Sequence, residues 1–170
     1  MQKIDALEAY SVSILRHADR FLLLQRSPEK QFAPGRWTGL GGHVEANEHS
    51  QLRLAALREV QEEAGIGSQD IGNFVLRRAL LVNRPTLPLA VVLYFTGTLS
   101  QILTPACPEG TLAWKLQAEF DSLDIIETTR PILDLLIDDM DHDPTGIALP
   151  KIGVAVFNAA GVFEKDIWAG

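Results

Sequence analysis

Three carboxylates, Glu59, Glu62 and Glu63, lie within a stretch of five residues. If this stretch is helical, the i, i+3 and i+4 spacing puts all three side chains on one face. Like charges this close repel one another, so the cluster destabilises the helix unless a positive group lies among them. A hard divalent cation such as Mg²⁺, which prefers oxygen ligands, is a natural partner. A solvated acidic helix face would carry the same residues, so the flanking sequence has to decide between the two interpretations.

The flanking sequence extends the pattern on both sides of the acids. Gly42 is followed by five residues and then Glu48, and nine further residues lead to Arg58. The acids come directly after Arg58, and Gly65 then ends the predicted helix. A glycine lets the backbone approach a ligand closely, and an arginine can orient carboxylates by charge-assisted hydrogen bonds. These residues in register favour a metal site over a solvated face.

The pattern resembles the signature of the Nudix hydrolases, the family that includes MutT. That signature is Gly, five residues, Glu, seven residues, and then Arg-Glu-U-x-Glu-Glu-x-Gly-U, in which U is a bulky aliphatic residue. Every fixed residue type is present, but the second spacer has nine residues instead of seven. The simplest interpretation is a two-residue insertion around 49–53. A loop before residue 54 would absorb it without rotating the acidic face of the helix.

The resemblance implies substitution by water at phosphorus in a nucleoside diphosphate linked to another group. One or more Mg²⁺ ions, for which Mn²⁺ could substitute, would neutralise and orient the diphosphate and activate the water. Carried over by position, Glu62 and Glu63 are metal ligands, and the Gly42 backbone carbonyl is a further ligand. Glu59 is either another ligand or the general base.

The resemblance also implies supporting catalytic residues around the metal ligands. Arg58 would orient the carboxylates, and Glu48 would support this network or share a metal. Glu109, in the loop before a short strand, resembles the place where MutT-like members carry a base outside the motif. A glutamate before a strand is also commonplace, so both interpretations of Glu109 stay open.

Candidate substrate contacts are cationic, aromatic or glycine residues near the motif and at the start of the last helix. They are Arg26, Arg36, Trp37, Gly41 and Arg130. Aromatic rings such as Trp37 could stack on a base or belong to the core. MutT-like enzymes read a purine with an asparagine just before a proline on the last helix, and the residues before Pro131 here are Thr-Thr-Arg. The missing amide weakens the case for an oxidised guanine nucleotide as the substrate.

These residues predict a MutT-like pyrophosphohydrolase that converts a nucleoside triphosphate, an oxidised one included, to nucleoside monophosphate and pyrophosphate. Hydrolysis of ADP-ribose or another nucleotide sugar is an alternative. Isopentenyl diphosphate isomerase shares the fold, and Cys107 is the residue whose substitution would discriminate it. A non-catalytic nucleotide-binding module is the fourth possibility, against which the complete set of carboxylates speaks.

Composition and charge narrow the class of partner. The 170 residues carry a net charge of −7, so no basic stripe is available for a nucleic acid polymer or an anionic membrane. No apolar run reaches the roughly 18 residues of a membrane helix. The single Cys107 rules out an internal disulfide, and the first residues lack a signal-peptide core, so a cytoplasmic protein is expected. The expected partner is a small nucleotide, and a homodimer is left open.

The hydrophobic pattern predicts the elements that position the acids. Strands are expected at 10–17, 21–26, 71–83, 87–99 and 112–116, with helices at about 50–64 and from Pro131 onward. A closing hairpin is expected at 152–157 and 162–168. Together with the resemblance, this predicts a Nudix-type α/β/α sandwich with a mixed central sheet, helices on both faces and a C-terminal β-hairpin. We expect one domain over 1–170, with its core at about 9–140 and the hairpin at about 150–168.

Overall fold

A mixed β-sheet of eight strands runs through residues 7–103 and 106–169, which the computed structural model describes. The strands are β1 (Leu7–His17), β2 (Arg20–Arg26), β3 (Trp37–Thr38), β4 (Ile71–Val82), β5 (Leu89–Leu99), β6 (Gly110–Leu116), β7 (Lys151–Phe157) and β8 (Phe163–Trp168). The helices are α1 (Leu52–Ala64) and α2 (Arg130–His142), with short 3₁₀ helices at Ser68–Asp70 and Gln117–Ser122. All predicted elements are present.

The strand order explains why the sheet is mixed. The order is β3-β2-β1-β5-β4-β7-β8, and β6 pairs with β2. The pairs β1–β5 and β4–β7 are parallel, whereas the hairpin partners are antiparallel. Because parallel neighbours need a crossover connection, both faces of such a sheet must be covered.

The two helices cover opposite faces of the sheet. Helix α1 buries Ala56 and Val60 in a core that includes Leu15 and Phe95. Helix α2 packs on the other face, and its buried side chains are Ile132, Leu133, Leu136, Ile137 and Met140. The predicted α/β/α sandwich is therefore confirmed. No helix in the described ranges is long and apolar enough to cross a bilayer.

The C-terminal hairpin forms as predicted and extends the far edge of the sheet. Strand β7 adds in parallel to β4, and β8 returns antiparallel to it. Arg78 of β4 anchors this edge, because its guanidinium binds Asp139 of α2 at 2.6 and 2.9 Å and lies 4.8 Å from the Trp168 ring. One buried arginine thus links helix, sheet and hairpin.

Strands β1 and β2 pair only beside their connecting turn, and the chain after β3 fills the gap between them. Leu40 exchanges backbone hydrogen bonds of 2.6 and 3.0 Å with Ser13, and the Gly42 carbonyl accepts one of 2.9 Å from Ser11. Between them, Gly41 has φ +155°, and a Cβ there would lie 1.9 Å from the Ser11 carbonyl oxygen. Only glycine lets the chain pass this close to β1.

We expect Gly41→Ala to destabilise the fold by about 1–3 kcal/mol more than Gly35→Ala, because only the first substitution adds a clash to the backbone strain. Gly35 is a matched control, since its φ is +72° and nothing lies within 4 Å of its would-be Cβ. Urea unfolding of both variants measures the difference. Equal losses would contradict the close approach at Ser11.

Candidate active site

Arg58 lies at the centre of the acidic residues. Its Nε donates to Glu48 Oε1 at 2.7 Å and its Nη2 to Glu48 Oε2 at 2.8 Å, a bidentate pair. Its Nη1 donates to Glu59 at 2.8 Å and to Glu62 at 3.0 Å, and Nη2 also reaches the His43 carbonyl at 3.2 Å. The five N–H donors of a guanidinium are thereby all used. The predicted orienting role of Arg58 and supporting role of Glu48 match these contacts.

The extra residues of the motif lie in the turn before α1. Residues 46–50 form this turn, in which the Gln51 N–H donates to the Glu48 carbonyl at 2.7 Å. The helix then begins at Leu52 and ends at Gly65, which adopts φ 64°. The insertion predicted around 49–53 is thus absorbed before the body of the helix. Glu59, Glu62 and Glu63 consequently face one cavity.

Glu63 is the buried member of the acidic cluster, at 5% exposure. Its Oε2 accepts the Gly41 N–H at 2.7 Å. Burial is the main cause that raises the pKa of Glu63 to about 7, and the nearby Glu59 charge raises this pKa further. The hydrogen bond from the Gly41 N–H lowers the same pKa and so opposes both effects. Burial also raises the pKa of Glu59. A bound cation would stabilise both charged forms, because it supplies the missing opposite charge.

The two glycines before the acids differ in what their backbone offers. The Gly42 carbonyl, the predicted ligand, already accepts the Ser11 N–H, so it points toward β1. In extended chain, successive residues direct their polar groups to opposite sides. Since the Gly41 N–H points at Glu63, the Gly41 carbonyl belongs on the acidic side as well. Gly41 is therefore better placed than Gly42 to offer a backbone carbonyl to a metal ion. Gly42 instead makes room for Glu59, whose Oε2 lies 2.6 Å from the would-be Cβ.

The acidic cluster fits a divalent cation in its donors but is not closed around one. Within the described ranges, no three Asp, Glu, His or Cys side chains converge tightly enough to hold an ion as they stand. The reason is visible in the contacts, because Arg58 holds Glu59 and Glu62 while Glu63 is bound to Gly41. Oxygen donors with raised pKa values beside a cavity suit a hard cation that draws them together.

The cavity has a volume of about 630 Å³ and runs from the acids across the sheet face that α2 covers. Its floor is formed by alternate residues of β1 and β5, among them Val12 and Val92. Its inner end has the buried Tyr94 and Thr128, near the start of α2. Phe32 forms part of the mouth, where its ring lies 5.7 Å from each of two guanidinium carbons. A largely apolar cavity with polar ends suits a nucleoside-sized ligand.

Cationic side chains face the acids from the end of β2 and from the loop after it. Arg26 and Lys30 both line the cavity, and their charges act on Glu63. Lys30 forms an ion pair with Glu109, which also lines the cavity. The Glu109 carbonyl accepts the Ser27 N–H at 2.9 Å, so this residue is anchored to the same loop. The predicted outer base is therefore in the site, held by a lysine.

The structure brings only two of the predicted substrate contacts, Arg26 and Gly41, to the cavity. Arg36 is instead bound to Glu127 at 2.5 Å and to Asp124 at 3.1 Å. Trp37 and Arg130 likewise contact other parts of the protein. Arg36, Trp37 and Arg130 are therefore not part of the candidate site.

Both of the remaining residues have structural partners. Trp37 packs against the α2-side core, with the Lys115 ammonium 5.3 Å from its ring. Arg130 is bound to Asp134 at 2.7 Å and to Asp121 at 2.5 Å. None of these three residues lines the cavity, which separates them from Arg26 and Gly41.

Several cavity residues escaped the sequence interpretation. Glu8 and Tyr10 lie on β1, Arg84 on the turn before β5, and Tyr94 and Thr128 at the inner end. The signal in β1 was available, since an acid and a tyrosine alternate with buried small residues there. The other positions depend on strand pairing between distant segments, which sequence spacing does not encode.

A family model described as the NUDIX domain matches residues 7–136. The chain belongs to the Nudix family. The match spans more than half of the chain and contains the complete acidic cluster. Nudix hydrolases are pyrophosphohydrolases that cleave phosphoric anhydrides, so the enzyme class predicted from the sequence is confirmed. A search of curated proteins found no match.

Solved structures with the Nudix fold resemble this chain at low sequence identity. The mutator MutT protein from Bacillus halodurans has a TM-score of 0.69 at 20% identity and covers 95% of this chain and 97% of its own. The Nudix hydrolase from Nitrosomonas europaea has a TM-score of 0.61 at 21% identity and covers 85% and 77%. A bifunctional NMN adenylyltransferase/ADP ribose pyrophosphatase from Francisella tularensis has a TM-score of 0.64 at 14% identity and covers 81% and 42%. These likenesses show the fold.

The raised pKa of Glu63 predicts how stability changes with pH in EDTA. The folded state keeps a proton up to about pH 7, whereas the unfolded state releases it near its ordinary value of 4.5. The unfolded state thus binds fewer protons in this window, and the free energy of unfolding falls as pH rises. The pKa of Glu48 is lowered to about 2, so its contribution to the free energy of unfolding is already complete in this window and does not offset the fall.

We expect Glu63→Gln to reduce the fall in unfolding free energy between pH 5 and pH 8 by about 1–3 kcal/mol, because a one-unit pKa shift corresponds to about 1.4 kcal/mol. Glu164→Gln, at an exposed position of β8, is the control and should change nothing. Denaturant unfolding at the two pH values gives the comparison. An undiminished fall in the Glu63 variant would show that its carboxyl titrates normally.

Proposed function

We propose that this Nudix protein hydrolyses a nucleoside triphosphate to nucleoside monophosphate and pyrophosphate in a reaction that requires Mg²⁺, for which Mn²⁺ can substitute. The observation that carries the proposal is the arrangement of three carboxylates on one side of a cavity and two cations, Arg26 and Lys30, near them. An acidic patch alone would repel a polyphosphate. Cations beside it give the anionic ligand a place to bind next to a metal-binding surface.

The proposed metal ligands are Glu59, Glu62 and Glu63, with the Gly41 carbonyl as the backbone ligand. Mg²⁺, when bound, supplies charge neutralisation of the diphosphate and a more acidic water. Arg58 then keeps the carboxylates oriented, and its charge balances part of theirs.

Arg26 is the proposed phosphate-binding residue. Its Nε donates to the Phe32 carbonyl at 3.0 Å, and no carboxylate of the described chain pairs with it. Its remaining N–H groups are free to bind phosphate oxygens in a forked geometry. Lys30 is the second candidate, since a phosphate can compete with Glu109 for its ammonium. Glu109, once released, is the proposed acceptor of the proton from the attacking water.

Nucleotide sugars such as ADP-ribose are the second candidate substrates. The cavity of about 630 Å³ lies within the usual range for ligand pockets and can hold more than a base and a ribose. The Francisella relative in fold includes an ADP ribose pyrophosphatase by its name. Isomerase chemistry at Cys107 is not favoured, because burial raises the pKa of that thiol and it is absent from the cavity lining.

We expect Glu62→Gln to lower Mg²⁺-dependent hydrolysis by about 100-fold or more, because it removes an oxygen ligand without emptying the core. Its side chain is 57% exposed, so the fold should be retained. Gln61→Ala, one position earlier on α1 and also exposed, is the matched control. The assay is a panel of nucleoside triphosphates, oxidised nucleotides and ADP-sugars. Near-normal turnover in Glu62→Gln would contradict the assigned ligands.

Mg²⁺ should also raise the melting temperature, because it binds the folded acidic cluster and relieves its repulsion. At a concentration about 100 times its Kd, the stabilisation is about 2.7 kcal/mol, which corresponds to several degrees. The double variant with Glu62→Gln and Glu63→Gln should lose this shift. Scanning calorimetry with and without millimolar MgCl₂ measures it, and an unchanged wild-type melting temperature would count against a metal site.

A further inference from the structure

Glu8 is a carboxylate on the cavity wall to which the proposed hydrolysis assigns no role. It lies on β1 in register with Ala90 of β5, and Val92 and Leu87 also line the cavity. Its Oε2 accepts a hydrogen bond of 2.5 Å from the Tyr10 hydroxyl. No Lys, Arg or His within the described ranges forms an ion pair with it. The Glu8 carboxylate therefore has acceptor positions beyond the one that the Tyr10 hydroxyl occupies.

Tyr10 fixes the direction of this carboxylate. Its ring packs edge-on against His43, with ring centroids 5.3 Å apart at 79°. The hydrogen bond to Glu8 is the largest cause that raises the pKa of Tyr10 to about 12. The hydroxyl accordingly remains a donor throughout the physiological range. Because the ring is held and the hydroxyl is a donor, Tyr10 keeps Glu8 in one orientation.

The position of Glu8 along β1 indicates which part of a substrate it meets. Gly42 beside the acids pairs with Ser11, and Glu8 lies three residues further along the strand. At about 3.3 Å per residue, this is about 10 Å from the metal-binding surface. A diphosphate held at the acids would place its nucleoside over this distance. A carboxylate repels phosphate, so Glu8 suits an uncharged part that carries hydrogen-bond donors.

We propose that Glu8, positioned by Tyr10, accepts hydrogen bonds from two adjacent donors of the substrate's nucleoside and so selects which nucleosides bind. Two groups have this chemistry, the 2′,3′-diol of ribose and the N1–H with the 2-amino group of guanine. Adenine and cytosine present an amino group beside an acceptor nitrogen and do not match two carboxylate lone pairs. This inference rests on the proposed function, since it requires a nucleotide in the cavity.

The test is the affinity for GMP, dGMP and IMP, measured by calorimetry with Mg²⁺ present. Monophosphates have no phosphoric anhydride bond, so hydrolysis does not interfere. dGMP lacks one hydroxyl of the diol, and IMP lacks the 2-amino group. If Glu8 reads the diol, GMP should bind about tenfold or more tightly than dGMP, and if it reads guanine, the same ratio should appear against IMP. Glu8→Gln should weaken GMP binding about tenfold and bring that ratio close to one.

Tyr10→Phe should also bring the affinity ratio closer to one, but by less than Glu8→Gln does. The carboxylate remains in this variant, and only its fixed orientation is lost. Glu8→Asp, which shortens the side chain, should act like Tyr10→Phe and serves if the glutamine variant does not fold. Glu164→Gln, on exposed β8, should leave all three affinities unchanged. The proposal would be overturned if the GMP:dGMP and GMP:IMP affinity ratios were both unchanged in the Glu8 variants. It would also be overturned if none of the three monophosphates bound. Failure of the proposed hydrolysis would appear separately, as no turnover of triphosphates despite these binding ratios.

Discussion

The candidate active site depends on one guanidinium. Arg58 reaches Glu48 and the His43 carbonyl on the loop side, and Glu59 and Glu62 on the helix side. Without it, carboxylates on two elements would repel one another at short range, and the loop would have no fixed position against the helix. Lysine could not replace it, since a single ammonium lacks the forked geometry that binds four groups at once. Removal of one partner from such a network leaves the others with uncompensated charge.

The backbone before the acids imposes the second constraint. Gly41 passes close to the Ser11 carbonyl, and Gly42 leaves the space that the Glu59 carboxylate occupies. This approach lets a main-chain N–H bind Glu63, a buried acid whose pKa is raised to about 7. In the metal-free protein this arrangement disfavours the charged form of Glu63, because its carboxylate is desolvated and lies near the Glu59 charge. Sites that bind a cation commonly carry such a cost, and the ligand offsets it.

The sequence predicted the local parts of this site well. The acids share a helix face because their spacing follows the helical period, and the insertion had to precede the helix body for that face to survive. The placement of the acidic cluster on α1 could therefore be inferred before any contact was known. The α/β/α sandwich and its closing hairpin followed from periodicity and the family resemblance.

Contacts between distant segments were the part that the sequence could not supply. Arg36 resembled a free cation, but Asp124 and Glu127, 88 and 91 residues later, bind it. Glu8 lay outside the strand predicted at 10–17, and the parallel pairing of β1 with β5 places it in the cavity wall. The difference between Gly41 and Gly42 likewise depends on which of them faces β1. Spacing along one helix is encoded locally, whereas these partners are set by the topology of the sheet.

The central claim is that the acidic cluster directs Mg²⁺-dependent hydrolysis of a phosphoric anhydride. The bond cleaved is the anhydride nearest the nucleoside in the substrate. Phosphorus NMR of the products, from GTP and from ADP-ribose, tests it most directly. We predict that at least one substrate yields its nucleoside monophosphate, with pyrophosphate or a sugar phosphate as the other product, and that EDTA stops the reaction. Formation of GDP and orthophosphate, equal turnover in EDTA, or no turnover of either substrate would contradict the account.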